Sequence, residues 1–178
     1  MKKLGSTLRV HMETNPYSSG RTEVVPIFRQ NPISLTIDKM PFLSESDVSE
    51  AKVVNTLGGF ALHIQFNREG MLLLEEFTGA NRGKHLAIFS QFATLSDHDH
   101  PASGDAHAAG VTNASGHAHA GKKEKLNQGR WLGAPRINQH ISDGALIFTP
   151  DATREEAEQI ALGLNNVVRK AHGKKGEE

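Results

Sequence analysis

Strict alternation of apolar and polar residues is the sequence feature that most constrains the fold of this chain. Apolar side chains occupy every second position in Ile33-Ser34-Leu35-Thr36-Ile37-Asp38 and again along residues 59–66. Because successive side chains of a strand point to opposite faces, this repeat predicts strands with one buried and one exposed face. Half-buried strands of this kind are typical of antiparallel sheets, whose inner face needs a cover.

Two segments with helical spacing provide that cover. The first begins after Asn67, a favourable N-cap, and ends at Gly83, which suits a left-handed stop. The second begins with the capping box Thr153-Arg154-Glu155-Glu156 and carries apolar residues at helical spacing as far as Val168. Strands paired between two helices favour an α+β fold. We predict one ferredoxin-like antiparallel sheet with both main helices packed on one face.

The same patterns place the smaller elements and the core. Further strands are predicted near residues 8–12, 24–28, 52–55, 84–92, 130–137 and 145–148, and a single helical turn at 44–47. One core is predicted to unite the apolar faces of strands and helices, through Leu62, Ile64, Phe66, Leu74, Phe77, Ile88, Ile160 and Leu164.

Residues 94–128 have a different composition from the rest of the chain. They consist mainly of Ala, Gly, Ser, Asp, His and Lys, with almost no large apolar side chain. Such a segment cannot offset the entropy lost when its backbone becomes ordered. We therefore predict a flexible His-rich insertion at a hairpin tip, where extra length costs little.

Five histidines of this insertion are candidate metal ligands: His98, His100, His107, His117 and His119. In an extended chain, residues two apart project to the same side and can share one divalent ion. Neutral imidazole suits zinc, copper or nickel, and the neighbouring aspartates could add oxygen ligands. The alternative interpretation is a solvated low-complexity linker that binds metal only adventitiously.

Composition and motifs exclude several other functions. The 20 acidic and 20 basic residues leave no net charge to attract nucleic acid or an anionic membrane. Without cysteine, neither disulfides nor a cysteine-based zinc site can form. No apolar run approaches the roughly 20 residues of a membrane span, and Met1-Lys2-Lys3 leads into no signal segment, so the chain as given is expected to be soluble.

No enzyme signature is present in the sequence. The spacings GxSxG, HExxH, GxxxxGK[ST] and GxGxxG are all missing. The pairs Glu75-Glu76 and Glu155-Glu156 occupy adjacent helical positions, which point about 100° apart and are typical of a solvated face. His63 and His85 are predicted to be surface or partly buried structural residues, and Trp131 a core or helix-covering residue. No catalytic residue and no cofactor is therefore expected.

A series of short motifs nevertheless runs through the chain in a recognisable order. The series comprises residues 78–84 (TGANRGK), 86–88 (LAI), 134–137 (APRI), 141–144 (ISDG), Phe148-Thr149 and the helix start at 153–157. Over roughly residues 31 to 170, this order resembles the extracytoplasmic head domain of the SecD protein-export membrane proteins. The His-rich stretch stands where that family has a short hairpin turn.

The resemblance implies a binding domain of the cell envelope. Such a domain would be extracytoplasmic and non-catalytic, and would engage a polypeptide or protein partner through a sheet edge or a groove beside the helices. The implied organisation is an N-terminal strand or irregular segment at 1–30, a head-like domain at 31–172 and a disordered tail at 173–178. The family's proton-coupled export activity belongs to transmembrane helices and a second domain, so this chain is not expected to drive translocation alone.

Overall fold

The computed structural model describes residues 5–17, 20–93 and 129–173. The predicted His-rich insertion at 94–128 and the last residues of the predicted tail lie outside these ranges. The elements are β1 (Arg9–Met12), β2 (Thr22–Ile27), β3 (Ile33–Asp38), β4 (Leu43–Ser44), a short 3₁₀ turn (Glu45–Asp47), β5 (Val48–Thr56), β6 (Gly59–Phe66), α1 (Arg68–Ala80), β7 (Leu86–Ser90), β8 (Arg130–Gly133), β9 (Ala145–Phe148) and α2 (Arg154–Gly173).

The predicted start of each helix is confirmed by its cap, whereas α1 ends at Ala80, three residues before the predicted stop at Gly83. The Asn67 side chain accepts a hydrogen bond from the Gly70 N–H at 3.0 Å. At the start of α2, the Thr153 hydroxyl accepts from the Glu156 N–H, and the Glu156 carboxylate accepts from the Thr153 N–H. Gly83 has φ of 84°, the left-handed conformation predicted for the stop after α1. Neither helix is long and apolar enough to cross a membrane, among the residues that the structure describes.

The α+β class and the antiparallel pairing are confirmed, but the strands do not form the single sheet that was predicted. The described strands form three sheets, with the orders β4-β1-β7-β8, β2-β3 and β5-β6-β9. The strand β1 pairs with both β4 and β7, so a strand from the N-terminal segment lies inside the largest sheet. Alternation shows which face of a strand is buried, but it does not specify the neighbouring strand, and the one-sheet prediction failed for this reason.

The predicted core is confirmed as one cluster. Side chains with 0% exposure include Leu62, Ile64, Leu74, Ile88, Ile160 and Leu164. Phe66 belongs to the same cluster, and Phe77 packs against it while partly buried. This main core joins both helices to the two larger sheets.

A second, smaller cluster attaches the β2-β3 hairpin. Val25, Ile27, Leu35 and Ile37 of the hairpin pack with Ala87 of β7, and Trp131 and Ala134 lie against them. Leu86 and Ile88, the neighbours of Ala87, belong instead to the main core. The hairpin therefore covers the other face of the four-stranded sheet, and Trp131 packs against this smaller core.

Candidate functional site

At Ala51, the outer edge of β5 is closed by a side chain from α2. The Ala51 N–H donates to Asn165 Oδ1 at 2.8 Å, and the Ala51 carbonyl accepts from Asn165 Nδ2 at 2.8 Å. The amide thus satisfies the main-chain groups that would otherwise face a further strand. Unpaired edges bind foreign chains readily, and this contact blocks such pairing at Ala51.

The outer edge of β9, on the opposite side of the same sheet, is open. The Phe66 N–H donates to the Gly144 carbonyl at 2.9 Å, which identifies this pair as hydrogen bonded. Because bonded and non-bonded pairs alternate along an antiparallel ladder, the main-chain groups of Ala145 and Ile147 point away from β6. The Ala145 N–H is bonded to Asp143 Oδ1 at 3.1 Å. The Ile147 N–H and carbonyl face outward without a partner among the described residues, and the Ile147 side chain is 55% exposed.

A second open edge lies just beyond β8. The Leu86 N–H donates to the Pro135 carbonyl at 3.0 Å, and the Ile137 N–H donates to the Lys84 carbonyl at 2.8 Å. These bonds flank an isolated antiparallel bridge between His85 and Arg136. By the same alternation, the N–H and carbonyl of Arg136 point to the side away from β7. The strand predicted to reach residue 137 ends at Gly133 because Pro135 has no N–H to continue the ladder.

A groove separates these two edges, and we call it the β8–β9 groove. It has a volume of about 600 Å³ and is lined by Leu86, by the chain from Pro135 to Asp143 and by Ala145, Leu146 and Ile147. At one end its walls meet, because the Asp151 N–H donates to the Leu132 carbonyl at 2.6 Å. Toward Arg136 and Ile147 no hydrogen bond joins the two walls among the described residues, and the groove lies between these unpaired main chains.

The loop that closes the groove is anchored on α1. The Ile141 N–H donates to the hydroxyl of buried Thr78 at 2.9 Å, and that hydroxyl donates to the Leu74 carbonyl at 2.6 Å. Gly144 has φ of 70°, and a Cβ added there would lie 3.0 Å from Met71. A larger residue at 144 would therefore be strained and crowded. These contacts hold the groove in shape before anything binds.

Comparison with known proteins identifies the family. The family model described as SecDF, P1 head subdomain matches residues 22–167. The chain belongs to the SecDF P1 head family. This result confirms the resemblance drawn from the motifs, and the match begins within the segment that had been assigned to a separate N-terminal region.

Two solved SecDF structures share the fold of this SecDF head. One, described as a membrane component SecDF that enhances protein export, has a TM-score of 0.51 and 20% identity, covering 92% of this chain and 63% of that one. The other, SecDF in a super-membrane-facing form, has the same TM-score and identity, covering 90% of this chain and 18% of that one. The chain thus spans less than two thirds of either. A search of curated proteins gives no significant match.

Two ion pairs brace this SecDF head at the far end of β8. Arg130 donates from its two terminal guanidinium nitrogens to the two carboxylate oxygens of Glu156, at 2.7 and 3.1 Å. Arg29 donates to both carboxylate oxygens of Asp151, each at 3.2 Å. The hydrogen bond from Arg130 is the main cause that lowers the pKa of Glu156, against the effect of burial. Burial would raise the pKa of Asp151, but the bonds from Arg29 outweigh it and lower that pKa. Both carboxylates are charged and paired at neutral pH, so Glu156 is not the solvated residue predicted.

The candidate metal ligands predicted from the sequence are not among the residues that the structure describes. His98, His100, His107, His117 and His119 fall outside the described residues. Within residues 5–17, 20–93 and 129–173, no three histidine, aspartate or glutamate side chains are grouped to hold a metal ion.

The structural histidines of the SecDF head are partly buried, as predicted. His85 Nδ1 lies 2.8 Å from Glu13 Oε2. His63 lies on β6 directly opposite Ile147. The resemblance implied a sheet edge or a groove beside the helices, but the residues that form the β8–β9 groove were not predicted. Whether a main-chain N–H or carbonyl is unpaired does not depend on the type of its residue.

Proposed function

We propose that this SecDF P1 head binds extended polypeptide in an export-related role, on the extracytoplasmic side of a membrane and without catalysis. Family membership supports the role, since a similar solved protein is described as a membrane component that enhances protein export. The observation that carries the proposal is the open edge at Ile147, beside a groove of about 600 Å³. An unpaired edge recognises any chain that can become a strand.

Recognition through the main chain suits clients of varied sequence. Hydrogen bonds to backbone N–H and carbonyl groups are available from every residue except proline, so affinity does not depend on one side-chain motif. The exposed Ile147 adds apolar contact, while Asn165 closes the other edge of the sheet at Ala51.

Chemical-shift perturbation tests this function directly. Titration of the ¹⁵N-labelled head with an unfolded secretory protein is expected to shift the amides of residues 136–137 and 145–148, with micromolar-range affinity and little sequence preference. The same protein in its folded form serves as the control, because its backbone is already paired. If no amide shifts at high concentration of the unfolded protein, the head does not act by binding polypeptide.

The histidine spacing supports a second proposal, in which the tract at 94–128 captures zinc, copper or nickel. A functional site would bind zinc with a defined stoichiometry, and affinity would fall steeply below about pH 6.5, where imidazoles become protonated. Calorimetric titration would compare the chain with a variant in which all five histidines are alanine. Millimolar multi-site binding, or binding that survives the substitutions, would assign the tract to the solvated-linker interpretation.

A further inference from the structure

We infer that the bound segment enters the β8–β9 groove as an additional strand and pairs with both walls, which joins the two larger sheets into one. The inference rests on the proposed function and adds where and how the polypeptide is held. Its basis is that two unpaired edges, at Arg136 and at Ile147, face one groove. A strand paired with only one of them would leave the other unsatisfied.

The size of the groove matches a short strand. A rise of about 3.3 Å per residue, a strand spacing of about 4.8 Å and a sheet spacing of about 10 Å give roughly 160 Å³ per residue. The groove volume of about 600 Å³ is therefore of the order of a few strand residues. The strand cannot extend further toward Gly133, where a Cβ would lie 3.3 Å from the Phe148 ring and the walls are in contact.

The lining determines which segments fit. Leu86, Ile137 and Leu146 line the groove but are almost fully buried in the main core, so the surface open to an entering chain comes largely from exposed polar residues. The Arg136 guanidinium, which also lines the groove, donates to the Gly83 carbonyl at 3.2 Å. Pairing with both walls uses the N–H groups of successive residues, so the preferred segment is one that readily forms a strand and contains no proline.

Backbone methylation of a peptide tests the two-edge arrangement. The probe is a short synthetic peptide of alternating valine and threonine with terminal lysines, titrated against the whole chain. One analogue carries N-methyl groups at all valines and another at all threonines. Because successive N–H groups of a strand point to opposite sides, pairing with both walls predicts that each analogue binds at least about tenfold more weakly. Pairing with one wall weakens only one analogue.

Substitutions in the head supply an independent measurement. Ile147→Pro and Arg136→Pro each remove one outward N–H, and each is expected to weaken the unmodified peptide about tenfold. Asn55→Pro, on the opposite edge of the three-stranded sheet, is the control and is expected to leave affinity unchanged. Hydrogen exchange at Arg136 and Ile147 is expected to slow together when the peptide binds.

The outcomes separate the inference from the function on which it rests. Binding that tolerates either methylated analogue, or protection of only one of the two amides, overturns insertion between the walls and leaves polypeptide binding in place. If the unmodified peptide does not bind at all, both the insertion and the proposed function are wrong.

Discussion

Replacing Leu164 with alanine is expected to lower the free energy of unfolding by about 2 to 5 kcal/mol. Leu164 is 0% exposed and belongs to the main core, on the helix that packs against β5. The substitution removes buried apolar surface and leaves a cavity that the surrounding side chains only partly fill. Urea denaturation measures the loss.

Leu162 provides the matched control for this substitution. It lies on the same helix but is 52% exposed, so Leu162→Ala is expected to change stability by less than about 0.5 kcal/mol. A loss below about 1 kcal/mol for Leu164→Ala would contradict the placement of α2 on the core.

Replacing Gly163 with alanine is expected to destabilise the chain by about 1 to 3 kcal/mol. A Cβ at Gly163 would lie 2.0 Å from the Ser6 hydroxyl oxygen and 2.6 Å from the Ser6 backbone nitrogen. A backbone atom cannot move aside as a flexible side chain can, so the segment leading into β1 would have to shift. Thermal unfolding measures the effect.

Gly79→Ala is the control with the opposite expected sign. Gly79 lies near the end of α1, and its added Cβ would make only an ordinary contact at 3.9 Å with His140. There, alanine is expected to stabilise the helix by up to about 1 kcal/mol, because glycine loses more backbone entropy on folding. If Gly163→Ala also stabilises the chain, the residues before β1 do not pack on α2.

The contrast between the two edges of the β5-β6-β9 sheet links stability to the proposed role. The side-chain amide of Asn165 hydrogen bonds to both main-chain groups of Ala51 and closes the β5 edge there. The β9 edge at Ile147 is unpaired among the described residues. Open edges favour aggregation, and proteins usually cover them. The open β9 edge beside the anchored groove is the surface at which the proposed polypeptide would bind.

The sequence by itself determined the local structure and the family. Asn67, Gly83 and the Thr153–Glu156 capping box marked the helix ends because their side chains and backbone freedom act within a few residues. Alternation and helical spacing identified the core residues, including Leu74 and Leu164, because burial follows directly from which face a side chain occupies. The ordered motifs between Thr78 and Ala157 were sufficient to indicate the SecDF head.

Only the tertiary structure decided the sheets and the groove. The partners of β1, which lies between β4 and β7, depend on contacts between residues far apart in the chain. The same holds for the closing of the β5 edge by Asn165, which is distant in sequence from Ala51. The open groups at Arg136 and Ile147 belong to the main chain, which is chemically alike at nearly every residue. Strand register and the separation of the two sheets decide which main-chain N–H and carbonyl groups are unpaired. Neither of them can be deduced from the local amino-acid sequence.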